Sequence, residues 1–371
     1  LSDQSTSANF AFVGSYSHHL PLARGTSDGI MVFRFDSKTG ELTHAHTISD
    51  VVNPSFLAVH PSGRFLYAVN EITEFAGSSS GSVSAFTVDR TTGSLSLLNQ
   101  QPSLGADPCH VSIPRTGHHV LVANYTGGSV AMYRIAADGS LGGSSDFKQH
   151  SGSSADPDHP TEPHAHSATI DPTNRFAMVA DLGLDRVFVY RLDLALGRLV
   201  VNDPPYYEGK LGAGPRHFDF HPSGQYAYVI NELDLTLSAL AYDSSRGVLT
   251  HLQTESTLPV GVEPSGSTAD VHVHPSGRFV YGSNRGHDSI VVFAIDPSTG
   301  RITYVENQLT GGQTPRNFAI DPTGTFLLAA NQDSHTIVTF RIDAETGKLI
   351  PTGASIESPS PVCIKFARLE G

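Results

Sequence analysis

The sequence predicts an all-β protein, a seven-bladed β-propeller whose ring is closed by a C-terminal inner strand joining the N-terminal blade. Three observations carry this expectation. A proline-type turn with a glycine is followed, always seven residues later, by Asn or Asp, and this unit occurs six times. The glycine or its stand-in falls at Gly63, Gly117, Asn174, Gly224, Gly277 and Gly324, and the polar residue at Asn70, Asn124, Asp181, Asn231, Asn284 and Asn331. Successive turn positions lie 54, 57, 50, 53 and 47 residues apart, close to the length of one four-stranded blade. Finally, apolar residues alternate with period two between Gly, Pro and Asp punctuation, which argues for strands throughout.

Each unit reads alike. A first strand (Phe56–Val59, then 111–113, 218–220, 271–273 and 318–320) runs into a turn such as His60-Pro61-Ser62-Gly63. There Pro fixes one dihedral and Gly supplies the permissive one. A second strand is aromatic and aliphatic, as in Phe65-Leu66-Tyr67-Ala68-Val69. A third alternates apolar and small residues at 83–88, 130–135, 187–192 and 290–295. A Thr-Gly turn then leads to a weak fourth strand, as at Thr92-Gly93-Ser94-Leu95, Thr299-Gly300-Arg301-Ile302 and Thr346-Gly347-Lys348-Leu349.

The termini supply the seventh unit. Pro361-Val362-Cys363-Ile364-Lys365-Phe366 resembles a first strand with nothing after it, while 10–14, 30–35 and the turn at Thr39-Gly40-Glu41-Leu42 resemble strands two to four with nothing before them. Joining them leaves no open sheet edge. The expected organisation is one propeller domain over 1–371, with blades at 361–371 plus 8–50, 51–104, 105–160, 161–210, 211–262, 263–311 and 312–358.

Composition narrows the partners. Against 23 Lys and Arg stand 36 Asp and Glu, a net charge of −13, and no basic stripe is present to grip nucleic acid or an anionic membrane. No apolar run reaches membrane-spanning length. The two cysteines, Cys109 and Cys363, fall in inner strands of blades two apart, too distant for a disulfide. The chain starts at Leu1 without Met, which leans the expected compartment toward the periplasm over the cytoplasm. Between blades, 144–162 (SSDFKQHSGSSADPDHPTE) reads as a long polar excursion, and 77–81 and 18–28 as shorter ones, all at the same end of the ring.

Repeat logic separates structure from chemistry. The Asn or Asp present in every copy reads as a side chain capping a blade corner. The next position varies: Glu71, Tyr125, Leu182, Glu232, Arg285 and Gln332. So does the start of the first strand: Ser55, Cys109, His166, Arg216, Ala269 and Arg316. Both variable sets are expected at one channel mouth, where blades converge. His60, His221 and His274 precede Pro-Ser-Gly and read as turn residues, whereas His164 and His166 sit two apart in a sequence that occurs once. His110, His217 and His272 stand near inner-strand starts and read as channel-facing or packing histidines.

Arg216 and Glu232, sixteen residues apart, return to the same end of one blade, and Arg285 takes the matching place on the next. Two guanidinium groups there suit an anionic or oxyanionic ligand, and a Glu beside a His suits proton transfer or activation of water. The plainer alternative is that Glu232 and Arg285 form inter-blade salt bridges. No G-x-S-x-G turn supports a serine nucleophile. His164, His166 and Glu232 could approach a metal, but two same-face histidines do not make a site, so neither a metal nor another cofactor is expected.

At these residues the chain resembles the seven-bladed propeller lactonase family, which includes the propeller-type 6-phosphogluconolactonases and the fungal carboxy-muconate lactonizing enzyme. The resemblance lies in Pro163-His164-Ala165-His166-Ser167, Asp181-Leu182-Gly183-Leu184-Asp185, Gly214-Pro215-Arg216-His217 and Asn231-Glu232. Ser283-Asn284-Arg285-Gly286-His287-Asp288, Pro315-Arg316-Asn317 and Ala330-Asn331-Gln332-Asp333 extend it around the ring. It implies catalysis by His164 or His166 with Glu232, Arg216 and Arg285, and hydrolysis of a sugar-acid δ-lactone, either gluconolactone or its 6-phospho form. Tyr125, His217, His287, Arg316, Asn317 and Gln332 are then expected to bind substrate. A phosphate would want more cations than an acidic chain offers, which favours the unphosphorylated lactone. Two alternatives stay open: a cycloisomerase acting on a muconate-type dicarboxylate, and a non-catalytic scaffold. Against the scaffold, the chain lacks Trp and its variable ring is charged.

Overall fold

The turn glycines and alternating strands build seven four-stranded antiparallel sheets arranged as propeller blades. The computed structural model describes residues 8–19, 25–154 and 162–369, and among these every regular element is a strand. Seven inner strands line the channel: Pro361–Leu369 in blade 1, then Phe56–Val59, Pro108–Ser112, Ala165–Ile170, Pro215–Phe220, Ser267–Val273 and Pro315–Ile320 in blades 2 to 7. Ring closure follows the expectation. Pro361–Leu369 pairs antiparallel with Ala8–Ser15 through Phe10↔Ala367, Phe12↔Lys365 and Val13↔Ile364, so the last strand of the chain heads the first blade.

The second strand of each blade is buried on both faces, which explains its near-continuous apolar sequence. Along Ala8–Ser15, Phe10 and Phe12 pack toward blade 2 with Phe56 and Phe65, while Ala11 and Val13 pack toward blade 7 with Phe326 and Leu328. Fourth strands such as Leu95–Pro102 keep only a few buried positions. The expected excursion at 144–162 is corrected in part. Its first residues finish the outer strand Leu141–Gln149, hidden in the sequence because Gly and Ser replace the usual apolar alternation. His150 follows, buried against Asp181, and 155–161 lie outside the described residues, as do 20–24 of the 18–28 segment.

Blades are stapled to one another by repeated side-chain contacts. The turn histidines reach the turn of the following blade: His60 Nε2 meets Gly117 O at 2.9 Å, His221 Nε2 meets Gly277 O at 2.8 Å, and His274 Nε2 meets Gly324 O at 2.8 Å. Tyr67, Tyr228 and Tyr281 donate their hydroxyls to Gly139, Gly300 and Gly347 of the next blade's outer turn. The position-seven residues are buried corner latches: Asn70 Nδ2 donates to Val52 O at 2.7 Å, and Asn124 Nδ2 to Ser103 O at 2.9 Å. Both cysteines are free and buried.

The staples make a separable prediction. Gly224 and Gly277 share a left-handed backbone, at φ 68° and 73°. A Cβ on Gly224 meets nothing within 4 Å, whereas one on Gly277 lies 2.6 Å from His221 Nε2. Gly224→Ala should therefore cost about 1 kcal/mol of backbone strain, and Gly277→Ala about 2–3 kcal/mol because it also breaks the histidine staple. Urea unfolding of both variants checks this, and equal losses would show that the staple contributes nothing.

Candidate active site at the channel mouth

In five of the seven blades one backbone device brings the two variable positions together. Asn53, Asp107, Gly214, Thr314 and Ser360 take left-handed φ values of 41°, 51°, 65°, 57° and 43°. Their carbonyls accept the backbone N–H of Glu71 (3.0 Å), Tyr125 (2.8 Å), Glu232 (2.7 Å), Gln332 (2.9 Å) and Tyr16 (3.2 Å) respectively. Two residues further on, the pairing register slips. Cys109, His166, Arg216, Ala269 with Asp270, Arg316 and Val362 are each passed over in the ladder to the second strand. A bulge re-aims its extra side chain, and here the bulges aim theirs at the channel mouth. A small niche is lined by Ser55, Cys109, His166, Arg216, Arg316 and Val362, with Tyr16 and Glu71 from the second strands.

Glu232 is the electrostatic centre. Its Oε2 accepts from Arg216 Nε at 2.7 Å and its Oε1 pairs with Arg285 NH2 at 2.9 Å, so one carboxylate bridges blades 5 and 6. Burial opposes its ionisation, but Arg285, Arg216 and Arg316 bring it down to about pKa 2. Arg216 is almost fully buried. Beyond Glu232 it donates from NH1 to Ala269 O at 2.5 Å and to His217 Nε2 at 3.3 Å. Burial lowers it to about 10 even with Glu232 beside it. Arg285 NH2 also donates to Thr268 O at 2.7 Å. The salt-bridge alternative and the site reading are therefore one arrangement. Arg316 differs from both: among the described residues its guanidinium has no hydrogen bond or ion pair, only the Tyr16 ring 5.5 Å away.

The other expected residues divide. His166 is buried, 5.4 Å from the His217 ring and 5.3 Å from Tyr125, and burial together with Arg216 holds it well below the usual histidine range. His164 stacks on the face of Tyr125 at 4.4 Å and its Nδ1 lies 3.1 Å from Tyr125 O, so it sits at the rim while His166 lines the niche. His217 stands behind Arg216: its Nδ1 donates to Asp270 at 2.7 Å, its Nε2 is left as acceptor, and burial lowers it to about 4. Three residues are not brought into the cluster. His287 is turned to Ser289 at 2.7 Å, Asn317 is spent between Asp270 and the Ile364 N–H, and Gln332 Nε2 donates to Asp333 at 2.9 Å. Sequence reasoning missed Tyr16, and it did not single out Glu71 or Ser55 from their variable rings. Tyr16 is the blade-1 counterpart of Glu71, and the splitting of that blade between the termini hides it.

Below the niche, Phe56, His110 and His217 close the channel with ring centroids 4.4–5.7 Å apart. Beyond them a wider cavity of about 720 Å³ opens toward the other mouth and carries Asp219, Asp270, His272 and Lys365. Asp270 Oδ2 lies 3.1 Å from His272 Nε2. Among the described residues, no three His, Cys, Asp or Glu side chains gather as a metal ion would need. No described helix is long and apolar enough to cross a membrane.

A family model described as Lactonase, 7-bladed beta-propeller, matches residues 10–366. The 6-phosphogluconolactonase of Bacillus subtilis is 34% identical over 355 residues, covering 96% of this chain and 97% of its own. The 6-phosphogluconolactonase of Formosa agariphila is 38% identical, covering 84% and 86%. Among solved structures, the periplasmic gluconolactonase of Pseudomonas aeruginosa superimposes with a TM-score of 0.89 at 33% identity, covering 98% of this chain and all of that one.

The Asp270–His272 pair sets a pH limit on the ring. Burial works against the imidazolium, but Asp270 and Asp219 raise His272 from 6.5 to about 9. A histidine raised on folding stabilises fully below its unfolded value and loses that contribution as pH rises through the folded one. Unfolding free energy should therefore fall by about 1–3 kcal/mol between pH 6.5 and 9. His272→Asn should be less stable at pH 6 and lack this decline, which denaturant titrations at the two pH values would test.

Proposed function

The chain belongs to the seven-bladed β-propeller lactonase family, and from that premise we propose that it is a hydrolase opening a sugar-acid δ-lactone by attack of water at the channel mouth. The observation that carries this reading is the Glu232 carboxylate fixed between Arg216 and Arg285, beside the open guanidinium of Arg316. Ester hydrolysis builds negative charge on the carbonyl oxygen, and preorganised cationic donors in a partly dry site stabilise that charge. Glu232 holds two of the three arginines at fixed positions. Arg316, which forms no ion pair among the described residues, is the donor placed for the oxyanion and then for the product carboxylate. Tyr125, His164 and His166 form an aromatic and polar wall suited to orienting the hydroxyls of the sugar ring.

The same charge distribution favours the unphosphorylated lactone. Glu232 and backbone carbonyls already occupy donors of Arg216 and Arg285. Arg316 is thus the one arginine of this mouth whose guanidinium makes no hydrogen bond among the described residues. A phosphate carries close to two negative charges at neutral pH and is normally held by several donors. Relatives bearing both names, 6-phosphogluconolactonase and gluconolactonase, are similar to this chain, so the choice between substrates rests on the site.

Acid release followed with a pH indicator, after subtraction of spontaneous hydrolysis, tests the proposal on glucono-δ-lactone and its 6-phospho form. The wild-type protein should open glucono-δ-lactone with the higher kcat/KM. Glu232→Gln should lower turnover at least about 100-fold, because it unpins two buried guanidinium groups. No acceleration of either lactone would refute the assignment, and preference for the phosphorylated one would reverse the substrate choice.

A further inference from the structure

Two glutamates at this mouth, Glu71 and Glu232, have opposite surroundings. Both oxygens of Glu232 are taken by guanidinium groups. Glu71 occupies the equivalent position three blades earlier, is 9% exposed, and has no ion pair among the described residues. The Tyr16 hydroxyl lies 3.1 Å from each of its two oxygens, and the Ser55 hydroxyl stands close by. Lone pairs of Glu71 are thus left open beside the niche, whereas those of Glu232 are committed.

The niche itself is built for one small polar species. Its volume for water centres is about 10 Å³, room for a single water. Glu71, Ser55, Arg316 and Tyr16 all line it. Ser55 is 4% exposed and stands close to Glu71, yet its Oγ completes no well-formed hydrogen bond among the described residues. A buried hydroxyl in that condition is rare, and a bound water is the usual partner. The Arg316 guanidinium, open on the same niche, could hold both that water and an incoming carbonyl oxygen.

We propose that Glu71 is the general base of the reaction, activating a water held in this niche by Ser55 and Arg316, while Glu232 organises the arginines and takes no proton. The assignment rests on the lactonase reading. The water oxygen bonds to the lactone carbonyl carbon as its proton passes to a Glu71 oxygen. The carbonyl electron pair moves onto oxygen, which faces Arg316. When the tetrahedral adduct collapses, the bond from the carbonyl carbon to the ring oxygen breaks, and the ring oxygen takes the proton back from Glu71. The product is the open hydroxy acid, which then ionises to solvent.

The acid–base properties of the two carboxylates agree with this division. Burial raises Glu71 above the usual carboxylate range, with Asp107 adding to the rise, while Arg316, Ser55 and Tyr16 pull it partway back. Cys109 also faces it, and its own thiol is held neutral by burial. A base works best when its pKa approaches the working pH, and Glu232, at about 2, is a poor one. Tyr16 is a positioning residue, its hydroxyl held un-ionised by burial and aimed at Glu71.

The test is the pH dependence of glucono-δ-lactone opening from pH 4 to 8 in wild type, Glu71→Gln and Tyr16→Phe. Wild-type kcat should rise along one acid limb whose midpoint lies above an ordinary glutamate's, about 4.3. Glu71→Gln should lose about 100- to 10,000-fold in kcat with KM changed only a few-fold, and the limb should vanish. Tyr16→Phe removes the phenol hydroxyl that donates to the carboxylate and should move the limb to higher pH, a readout that stands even if Glu71→Gln fails to fold. Activity of Glu71→Gln within about tenfold of wild type, or a limb that neither variant alters, would overturn the assignment and leave the lactonase reading intact. A wild-type protein that opens no lactone takes down both, and is recognised before any variant is made.

Discussion

Seven inner strands must each present one unpaired edge to the channel, and the rest of the molecule is arranged around meeting that demand. A buried N–H or C=O without a partner costs free energy, and the channel is too narrow for water to satisfy them all. Side chains of the neighbouring blade do so instead. Ser112 donates to Ala168 O at 2.6 Å and Thr169 to Phe218 O at 3.1 Å. Asp219 accepts the Val273 N–H at 2.8 Å, Asn317 accepts that of Ile364 at 2.7 Å, and Cys363 Sγ accepts that of Leu57 at 3.4 Å. Each contact crosses a blade boundary. Solving the edge problem therefore holds the ring together, and it claims most polar residues in the middle of the channel for structure.

What is left for chemistry is set by where the ladder is interrupted. The backbone of the bulged residue at the start of an inner strand pairs with nothing on its own sheet. The choice of its side chain is therefore less constrained by the ladder, although Arg216 and Cys109 still donate to carbonyls of the next blade. Six blades place such a residue beside the mouth, and natural variation among them (a thiol, an imidazole, two guanidinium groups, two small apolar side chains) costs the scaffold little. Asp270, one place past Ala269 in the same interruption, turns inward and supports His217, which accepts from Arg216. The chain Glu232, Arg216, His217, Asp270, His272 thus runs anion, cation, neutral imidazole, anion, cation from the mouth to the middle of the ring. It fixes the Arg216 plane by contacts at Nε and NH1.

Much of this was legible in the sequence. Turn glycines and corner Asn residues repeat at blade spacing, so the architecture, the closing strand and the two variable rings could be read from pattern alone. The site cluster followed because residues that differ between copies stand out against a repeated background. The direction in which individual channel residues point was less legible. The slipped register at Arg316 turns Asn317 inward to Asp270, and the short loop at 286–288 returns His287 to Ser289. A bulge is a property of backbone pairing between strands, and nothing in Pro315-Arg316-Asn317 announces it. Tyr16 was invisible for another reason: its blade has no Pro-Gly turn in continuous sequence, because the chain ends fall there.

The difference between Glu71 and Glu232 was the least legible feature, since the two occupy identical places in the repeat. What separates them is the company each finds across the channel. Glu232 has a bulge arginine on its own blade and Arg285 on the next, so two cations lie within hydrogen-bond reach. Glu71 has Ser55 on its own blade and Tyr125 on the next, while Arg316 approaches from the far side without closing to an ion pair. Identical backbone positions thus yield an ionised anchor in one blade and a carboxyl of raised pKa in another. A ring of repeats is suited to this outcome. Its geometry delivers equivalent positions to a common axis, and substitution at the bulge of each blade then decides which carboxylate is neutralised by cations and which is left able to exchange a proton.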